Sequence, residues 1–169
     1  MFASRMRVGA GALVVTGVLF VIYPALRPFS DESSLLGAAA FGSGAWLVSH
    51  MLAIVAFALL PLGLLGLQYS LLGTSAEPLL FLAVVLSIIG TGFTLPFYGG
   101  ETYGLHVLGQ EALRQHSDCP LGLVEVIRSG PGLVMFLAGL LLLAASAIAT
   151  ATALWRSRRY PKASGVPFS

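Results

Sequence analysis

Charged side chains are scarce in this sequence, and their scarcity indicates whether the chain folds in water or in a membrane. Asp, Glu, Lys and Arg make up 9% of the 169 residues, whereas hydrophobic residues make up 57%. A soluble domain carries roughly 25% charged residues. A soluble chain of this length also exposes too much surface to hide so many apolar side chains. The composition therefore predicts a membrane protein.

Cysteine is also nearly absent, since the chain contains only Cys119. A single cysteine cannot form a disulfide within the chain. It also excludes Fe–S clusters and zinc sites that are built from several cysteines. We interpret Cys119, in the polar stretch HSDCPLG, as an ordinary loop residue. The net charge of +2 does not indicate nucleic-acid binding, because the basic residues form no patch apart from the ends of the apolar segments.

Four long apolar segments are present, and each predicts a membrane-spanning helix. About 20 mostly apolar residues cross the hydrocarbon core of a bilayer. They do so as a helix, because every backbone N–H and C=O needs a partner within the segment. We predict spans at residues 8–26, 44–67, 78–98 and 132–155. The predicted fold class is all-α: an integral membrane four-helix bundle in one transmembrane domain covering residues 1–169.

Basic residues are distributed unevenly along the chain. Lys and Arg collect in cytoplasmic segments close to the ends of spans. Six of the nine basic residues lie before the first span or after the fourth: Arg5, Arg7, Arg156, Arg158, Arg159 and Lys162. Because four spans place both termini on one side of the membrane, we predict that both termini are cytoplasmic.

The predicted outer side carries two polar segments, residues 27–43 and 99–131. The second begins GGETYGLHVLGQEALRQH and mixes apolar with polar residues at helical spacing. This pattern predicts one or two short interfacial helices over the outer end of the bundle. Two glycines follow closely behind Pro96, and this favours an end of the third span near Tyr98.

Three ionisable side chains are predicted near the outer ends of the second and third spans. His50 lies about one and a half turns into the second span, and Glu101 and His106 follow the third. Ionisable groups at membrane depth are costly and are usually retained for a function. Because the two spans are predicted to be antiparallel neighbours, we expect a polar site in the outer leaflet. Its walls would be aromatic, from Trp46, Phe97, Tyr98 and Tyr103.

The same residues admit four interpretations. A pocket for a small ligand, a lipid or a membrane partner would be mostly apolar, with a few placed polar groups. A structural clamp would join the two spans, with Glu101 accepting a hydrogen bond from His50 or Tyr103. A transition-metal site would use His50, Glu101 and His106 as ligands, although no metalloprotease-like spacing is present. Haem would be held by His50 and His106, as in four-helix membrane cytochromes b.

Several stretches of the chain resemble a group of small multi-spanning membrane proteins from high-GC bacteria that have no defined function. The stretches are SHMLAIVAFALLPLGLLGL, GGETYGLHVLGQEAL, VEVIRSGPG and ALWRSRRYPKASGVP. The resemblance implies a location in a bacterial cytoplasmic membrane. It also implies further spans after the basic RSRR turn in other members, so that this chain would be a shortened form. It supplies no catalytic motif.

These observations lead to one leading hypothesis and one alternative. We expect a non-enzymatic polytopic membrane protein whose outer-leaflet polar site binds a small ligand, a lipid or a membrane partner. The lipid bilayer is the expected environment, and glycine- and alanine-rich helix faces are compatible with a homo-oligomer. The alternative is a haem- or metal-binding membrane redox protein that uses His50 and His106.

Overall fold

The structure is a computed structural model that describes residues 2–157 and 159–161. Its helices, in chain order, are α1 (Phe2–Leu26), α2 (Leu35–Phe41), α3 (Gly44–Ser70), α4 (Glu77–Gly99), α5 (Leu105–Gln115), α6 (Gly122–Ile127) and α7 (Gly130–Arg156). Helices α1, α3, α4 and α7 are long and apolar enough to cross a membrane. The all-α fold class and the four predicted spans are confirmed. Arg158 and Lys162, which contributed to the predicted orientation, lie outside the described residues.

The four spans pack in a chain of neighbours. Helix α1 packs along α3, α4 packs along α7, and the contact between α3 and α4 joins the two pairs. The start of α1, the short turn between α3 and α4, and the end of α7 lie at one end of the bundle, which we call the termini end. Helices α2, α5 and α6 lie at the opposite end, which we call the capped end.

Small residues allow the paired spans to approach closely. Gly9 of α1 lies directly against Gly66 of α3, and Gly139 of α7 lies against the backbone of Gly90 in α4. Helices in lipid associate through such close packing and through a few hydrogen bonds, because lipid tails are as apolar as leucine. One such bond runs between spans, from Ser146 Oγ to the carbonyl oxygen of Ala83 at 2.7 Å.

The helical conformation of the chain continues past the end of α4 at Gly99. A π turn at Gly100–Gly104 joins α4 to α5, so that one helical stretch runs over Glu77–Gln115. The α-helical part of α4 ends at Gly99, close to the predicted end near Tyr98, but the chain stays helical beyond that point. Gly99 and Gly100 both adopt right-handed helical backbone angles, because the packing of α5 against α2 outweighs the weak helix preference of glycine. Pro96 removes one N–H from the ladder and does not end the helix.

A small hydrophobic cluster holds the capped end together, which confirms the predicted short helices over the bundle. Its members come from α2, α3, α5, α6 and the turn before α6, and they are Ala38, Phe41, Trp46, Leu105, Ala112, Leu121 and Val124. Trp46 belongs both to this cluster and to the first turn of α3, where its backbone N–H donates to the capping Ser43 Oγ at 3.1 Å. The capped end is thus attached to the transmembrane bundle through a tryptophan.

Replacing Gly9 with leucine is expected to separate α1 from α3. Any Cβ on Gly9 would overlap Gly66, and overpacking of this kind costs about 1–3 kcal/mol. Gly11→Leu is the matched control, because Gly11 lies on the same helix and nothing lies within 4 Å of its added Cβ. Thermal unfolding in detergent should show a lower midpoint for Gly9→Leu only. Equal midpoints for the two variants would contradict the close approach.

Candidate functional site

Four charged side chains form a continuous network at the capped end. Arg27, at the end of the α1 segment, donates through Nη2 to Glu32 Oε1 at 3.1 Å. The other oxygen of Glu32 accepts from Arg128 Nη1. Arg128, in turn, bonds to the carboxylate of Glu101. We call these four residues the charge network. It connects the loop before α2, the π turn and the loop before α7.

Glu101 is the most deeply placed acid of the charge network, with 8% of its surface exposed. Both of its carboxylate oxygens accept from Arg128, from Nε at 2.5 Å and from Nη2 at 2.9 Å. Such two-point pairing is the strongest common form of ion pair. The predicted clamp through His50 or Tyr103 is therefore wrong, because Glu101 is paired with an arginine from a distant loop.

Hydrogen bonds to Glu101 and Glu32 fix the charge of Arg128. They raise the pKa of the guanidinium above its ordinary value, with the bonds to Glu101 as the largest cause and partial burial opposing them. Arg128 also lies over the ring of Phe41, with its Cζ 5.7 Å from the ring centre. The permanent positive charge is thus balanced by carboxylates and partly covered by an aromatic ring.

The π turn places a second group of Glu101, its backbone carbonyl, in the site. In a regular α-helix the N–H of Leu105 would bond to the carbonyl of Glu101, four residues earlier. Here it bonds to Gly100, five residues earlier. The freed Glu101 carbonyl accepts from Trp46 Nε1 at 2.9 Å. The wide turn therefore provides the bond that joins α3 to the end of α4.

Trp46 and His50 are one helical turn apart on α3, so they share a face. Their rings lie 4.0 Å apart, centre to centre. The guanidinium of Arg27 lies 5.1 Å from the centre of the indole ring of Trp46. His50 and Arg27 thus both contact the indole ring of Trp46.

The imidazole of His50 is held by one of its two nitrogens. Its Nδ1 lies 2.9 Å from the carbonyl oxygen of Trp46. A carbonyl only accepts, so Nδ1 carries the proton and donates it to this bond. Ser49 Oγ donates to the same carbonyl at 2.9 Å. Among the described residues, His50 Nε2 has no hydrogen-bond partner, although His50 is only 4% exposed.

A cavity of about 170 Å³ lies beside His50, where the four spans converge at the capped end. Its lining residues are Tyr23, Arg27, His50, Phe97, Tyr98, Glu101 and Phe136. We call it the His50 cavity. Its walls are largely aromatic, and its polar groups are the imidazole, two phenols and two members of the charge network. This combination of apolar walls with a few placed polar groups is typical of small-molecule sites.

The predicted site residues fall into two groups. His50, Glu101, Tyr98 and Phe97 line the His50 cavity, and Trp46 lies behind His50. His106 and Tyr103 are not part of this lining. The ring of His106 bonds through Nδ1 to the carbonyl oxygen of Phe41 at 2.9 Å, and Tyr103 is 53% exposed. His50 and His106 therefore do not face the same cavity.

Groups that bind metals are dispersed in the part of the chain that the structure describes. Within residues 2–157 and 159–161, no three side chains of His, Cys, Asp or Glu lie close enough together to hold a metal ion. The three residues proposed as ligands illustrate the reason. The carboxylate of Glu101 is paired with Arg128, and His106 bonds within the cap rather than beside His50.

Sequence reasoning did not identify five residues of the site: Tyr23, Arg27, Glu32, Arg128 and Phe136. The arginines were considered only as indicators of orientation. One signal was available, since a carboxylate at the end of an apolar span requires a nearby cation. The arginines nearest to the ends of the neighbouring spans, Arg27 and Arg128, meet that requirement.

Comparison with known proteins identifies no relative. The chain matches no protein-family model, and no curated protein or solved structure is significantly similar to it. A functional conclusion must therefore come from the chemistry of the site.

Replacing Arg128 with glutamine should destabilise the capped end, because it leaves two carboxylates without a cation. We expect a loss of about 2–3 kcal/mol in unfolding free energy, below the range for a fully buried pair since solvent reaches part of these side chains. The double variant Glu101→Gln/Arg128→Gln should recover part of this loss. Chemical unfolding in detergent, followed by tryptophan fluorescence, measures both.

Arg114→Gln is the control for Arg128→Gln. Arg114 also pairs with a glutamate, Glu111, but the arginine is 71% exposed. Exposed pairs of this kind contribute little to stability, so this variant should unfold like the wild type. If Arg128→Gln also unfolded like the wild type, the charge network would have no structural role.

Proposed function

We propose that the protein is a non-enzymatic, multi-pass protein of a bacterial cytoplasmic membrane that binds a small molecule in the His50 cavity. One observation carries the proposal. A buried histidine is fixed through Nδ1, while its Nε2 has no partner among the described residues and the ring borders a cavity. A polar atom without a partner becomes costly once water is excluded from it. A ligand that bonds to Nε2 would remove that cost.

The size of the His50 cavity supports a small ligand. Its volume of about 170 Å³ is close to that of an engineered protein cavity of about 150 Å³ that binds benzene. A whole lipid would not fit, whereas a single ring or a small head group would. Aromatic side chains from α1, α4 and α7 surround this space, so a bound molecule would contact three of the spans.

The hydrogen bonds of Glu101 and Ser49 do not favour catalysis by either residue. A general base needs a carboxylate or imidazole that can take a proton from the substrate. The carboxylate of Glu101 is engaged on both oxygens by Arg128. Ser49 donates to the carbonyl of Trp46 and lies 3.4 Å from His50 Nδ1, which donates to the same carbonyl. Ser49 and His50 are therefore not arranged as a nucleophile and its base.

We propose that the capped end faces outward and that both termini are cytoplasmic. The arginines of the two ends differ in their partners. At the capped end Arg27, Arg114 and Arg128 are all paired with glutamates. The arginines in the described part of the termini end form no salt bridge, and they are Arg5, Arg7, Arg156 and Arg159. The rule for orientation counts Lys and Arg beside the ends of spans, and the larger number of them at the termini end favours the cytoplasmic side for that end.

Cys119 provides a test of this orientation, because it is the sole cysteine of the chain and is exposed at the capped end. A membrane-impermeant maleimide should label it in intact cells. The matched control is Cys119→Ser/Ser75→Cys, which moves the thiol to an exposed position in the turn between α3 and α4. This variant should be labelled only after the membrane is permeabilised. The reverse labelling pattern would invert the proposed orientation.

Filling the His50 cavity should abolish ligand binding. Phe136→Trp enlarges a side chain of the cavity wall, whereas Leu141→Trp adds an indole to the same helix at a position that is 72% exposed. Native mass spectrometry of protein incubated with a total extract of its host membrane should reveal one small molecule per chain. Wild type and Leu141→Trp should retain it, and Phe136→Trp should lose it. Equal occupancy in all three, or none in the wild type, would contradict the proposal.

A further inference from the structure

We infer that the ligand of the His50 cavity is a neutral aromatic molecule with a hydroxyl group, whose O–H donates to His50 Nε2. The inference rests on the proposed function, because it assigns a chemical class to the ligand of the same cavity. Three properties of the site lead to it: the hydrogen-bonding role of the imidazole, the balance of charges around the cavity, and the shape and composition of its walls.

The free nitrogen of His50 selects for a hydrogen-bond donor. Because Nδ1 donates to the Trp46 carbonyl, the lone pair of the neutral imidazole lies on Nε2. This nitrogen can only accept. A ligand without a donor that displaced water from the cavity would leave Nε2 unpaired, and an acceptor shielded from water without a partner is costly. The ligand therefore needs an O–H or N–H group.

The charges around the cavity select for a neutral ligand. Two members of the charge network, Arg27 and Glu101, border the cavity, and each is paired with a residue of opposite charge. Arg27 is paired through Nη2, and its buried Nε is a donor without a hydrogen-bond partner among the described residues. The four residues together carry no net charge. A charged ligand would lose its hydration without gaining an unpaired counter-charge, and this is the unfavourable case for burying an ion. A carboxylate, a phosphate or an ammonium group is thus disfavoured.

The walls select for a flat ring. Rings of Tyr23, Phe97, Tyr98 and Phe136 line the cavity, and Phe97 and Phe136 already stack on each other at 4.4 Å. Aromatic rings prefer further rings in offset or edge-to-face contact. With room for about one benzene ring, the cavity fits a phenol. The phenol could be a free molecule or the head group of a membrane lipid.

Fluorine NMR on the full-length protein in detergent tests the inference with three probes of similar size. 4-Fluorophenol offers a donor and is neutral at pH 7, 4-fluoroanisole lacks the donor, and 4-fluorobenzoate is an anion. Protein-free micelles correct for partitioning into detergent. 4-Fluorophenol should bind saturably. 4-Fluoroanisole should bind at least about tenfold more weakly, because it lacks one hydrogen bond. 4-Fluorobenzoate should not bind.

Three variants assign the preference to His50. His50→Phe keeps a ring beside Trp46 but removes the acceptor, so it should bind the phenol and the anisole equally. His106→Phe changes a histidine outside the cavity lining and should keep the wild-type preference. Phe136→Trp should bind neither probe. The far-ultraviolet circular dichroism and the thermal unfolding midpoint of each variant should match those of the wild type, which verifies that its helices and packing are intact.

Each outcome separates the inference from the proposed function. Two results would overturn the phenol inference alone: the wild type binds the phenol and the anisole equally, or it binds the benzoate more tightly than the phenol. If Phe136→Trp abolishes that binding, the cavity is still a ligand site. If no probe binds but mass spectrometry detects a molecule lost in Phe136→Trp, the inference again fails alone. If neither method detects a ligand, both fail.

Competition against 4-fluorophenol distinguishes the two sources of a phenol. 4-Methylphenol and 4-dodecylphenol carry the same hydroxyl and differ in their tail. Displacement mainly by 4-dodecylphenol, after correction for its concentration in micelles, supports a phenolic lipid head group. Displacement mainly by 4-methylphenol supports a free phenol. Failure of both to displace 4-fluorophenol would overturn the inference.

Discussion

The pairing of Arg128 with Glu101 and Glu32 is the interaction on which the capped end depends. A carboxylate at the end of an apolar bundle requires a cation, because burial without one is prohibitively costly. Arg128 meets this requirement for two glutamates that lie 27 and 96 positions away in the chain. It thereby fixes the loop before α7 and the loop before α2 against the π turn. Two residues that line the His50 cavity, Arg27 and Glu101, belong to this arrangement.

The π turn determines how this arrangement meets the membrane helices. One additional residue in the turn shifts the bond of Leu105 from Glu101 to Gly100, and the released carbonyl is used by Trp46. Trp46 in turn offers its own carbonyl to His50. A local irregularity in one span thus fixes the orientation of a histidine in the neighbouring span. In an uninterrupted α-helix the carbonyl of Glu101 would accept from the N–H of Leu105 and would not be free for Trp46.

The spans could be predicted from the sequence because hydrophobic length is a local property that each segment carries by itself. The continuation of α4 through Gly99 and Gly100 could not, since it depends on the packing of α5 against α2, which no local pattern contains. The site could be predicted only in part, for the same reason. His50 and Glu101 stand out because they are ionisable groups near apolar spans, whereas Arg27, Glu32 and Phe136 join them only through tertiary structure.

The same distinction explains why His106 appeared to belong with His50. Both histidines lie near the predicted outer ends of adjacent spans, and topology alone places them at similar depth. The helix, however, continues past Tyr98, and this carries His106 into the cap, where its ring bonds to the carbonyl of Phe41. Each ring therefore bonds to a backbone carbonyl through Nδ1, but only His50 borders the cavity. The location of the free Nε2, rather than the residue type, separates the candidate ligand-binding histidine from the one that serves the packing of the cap.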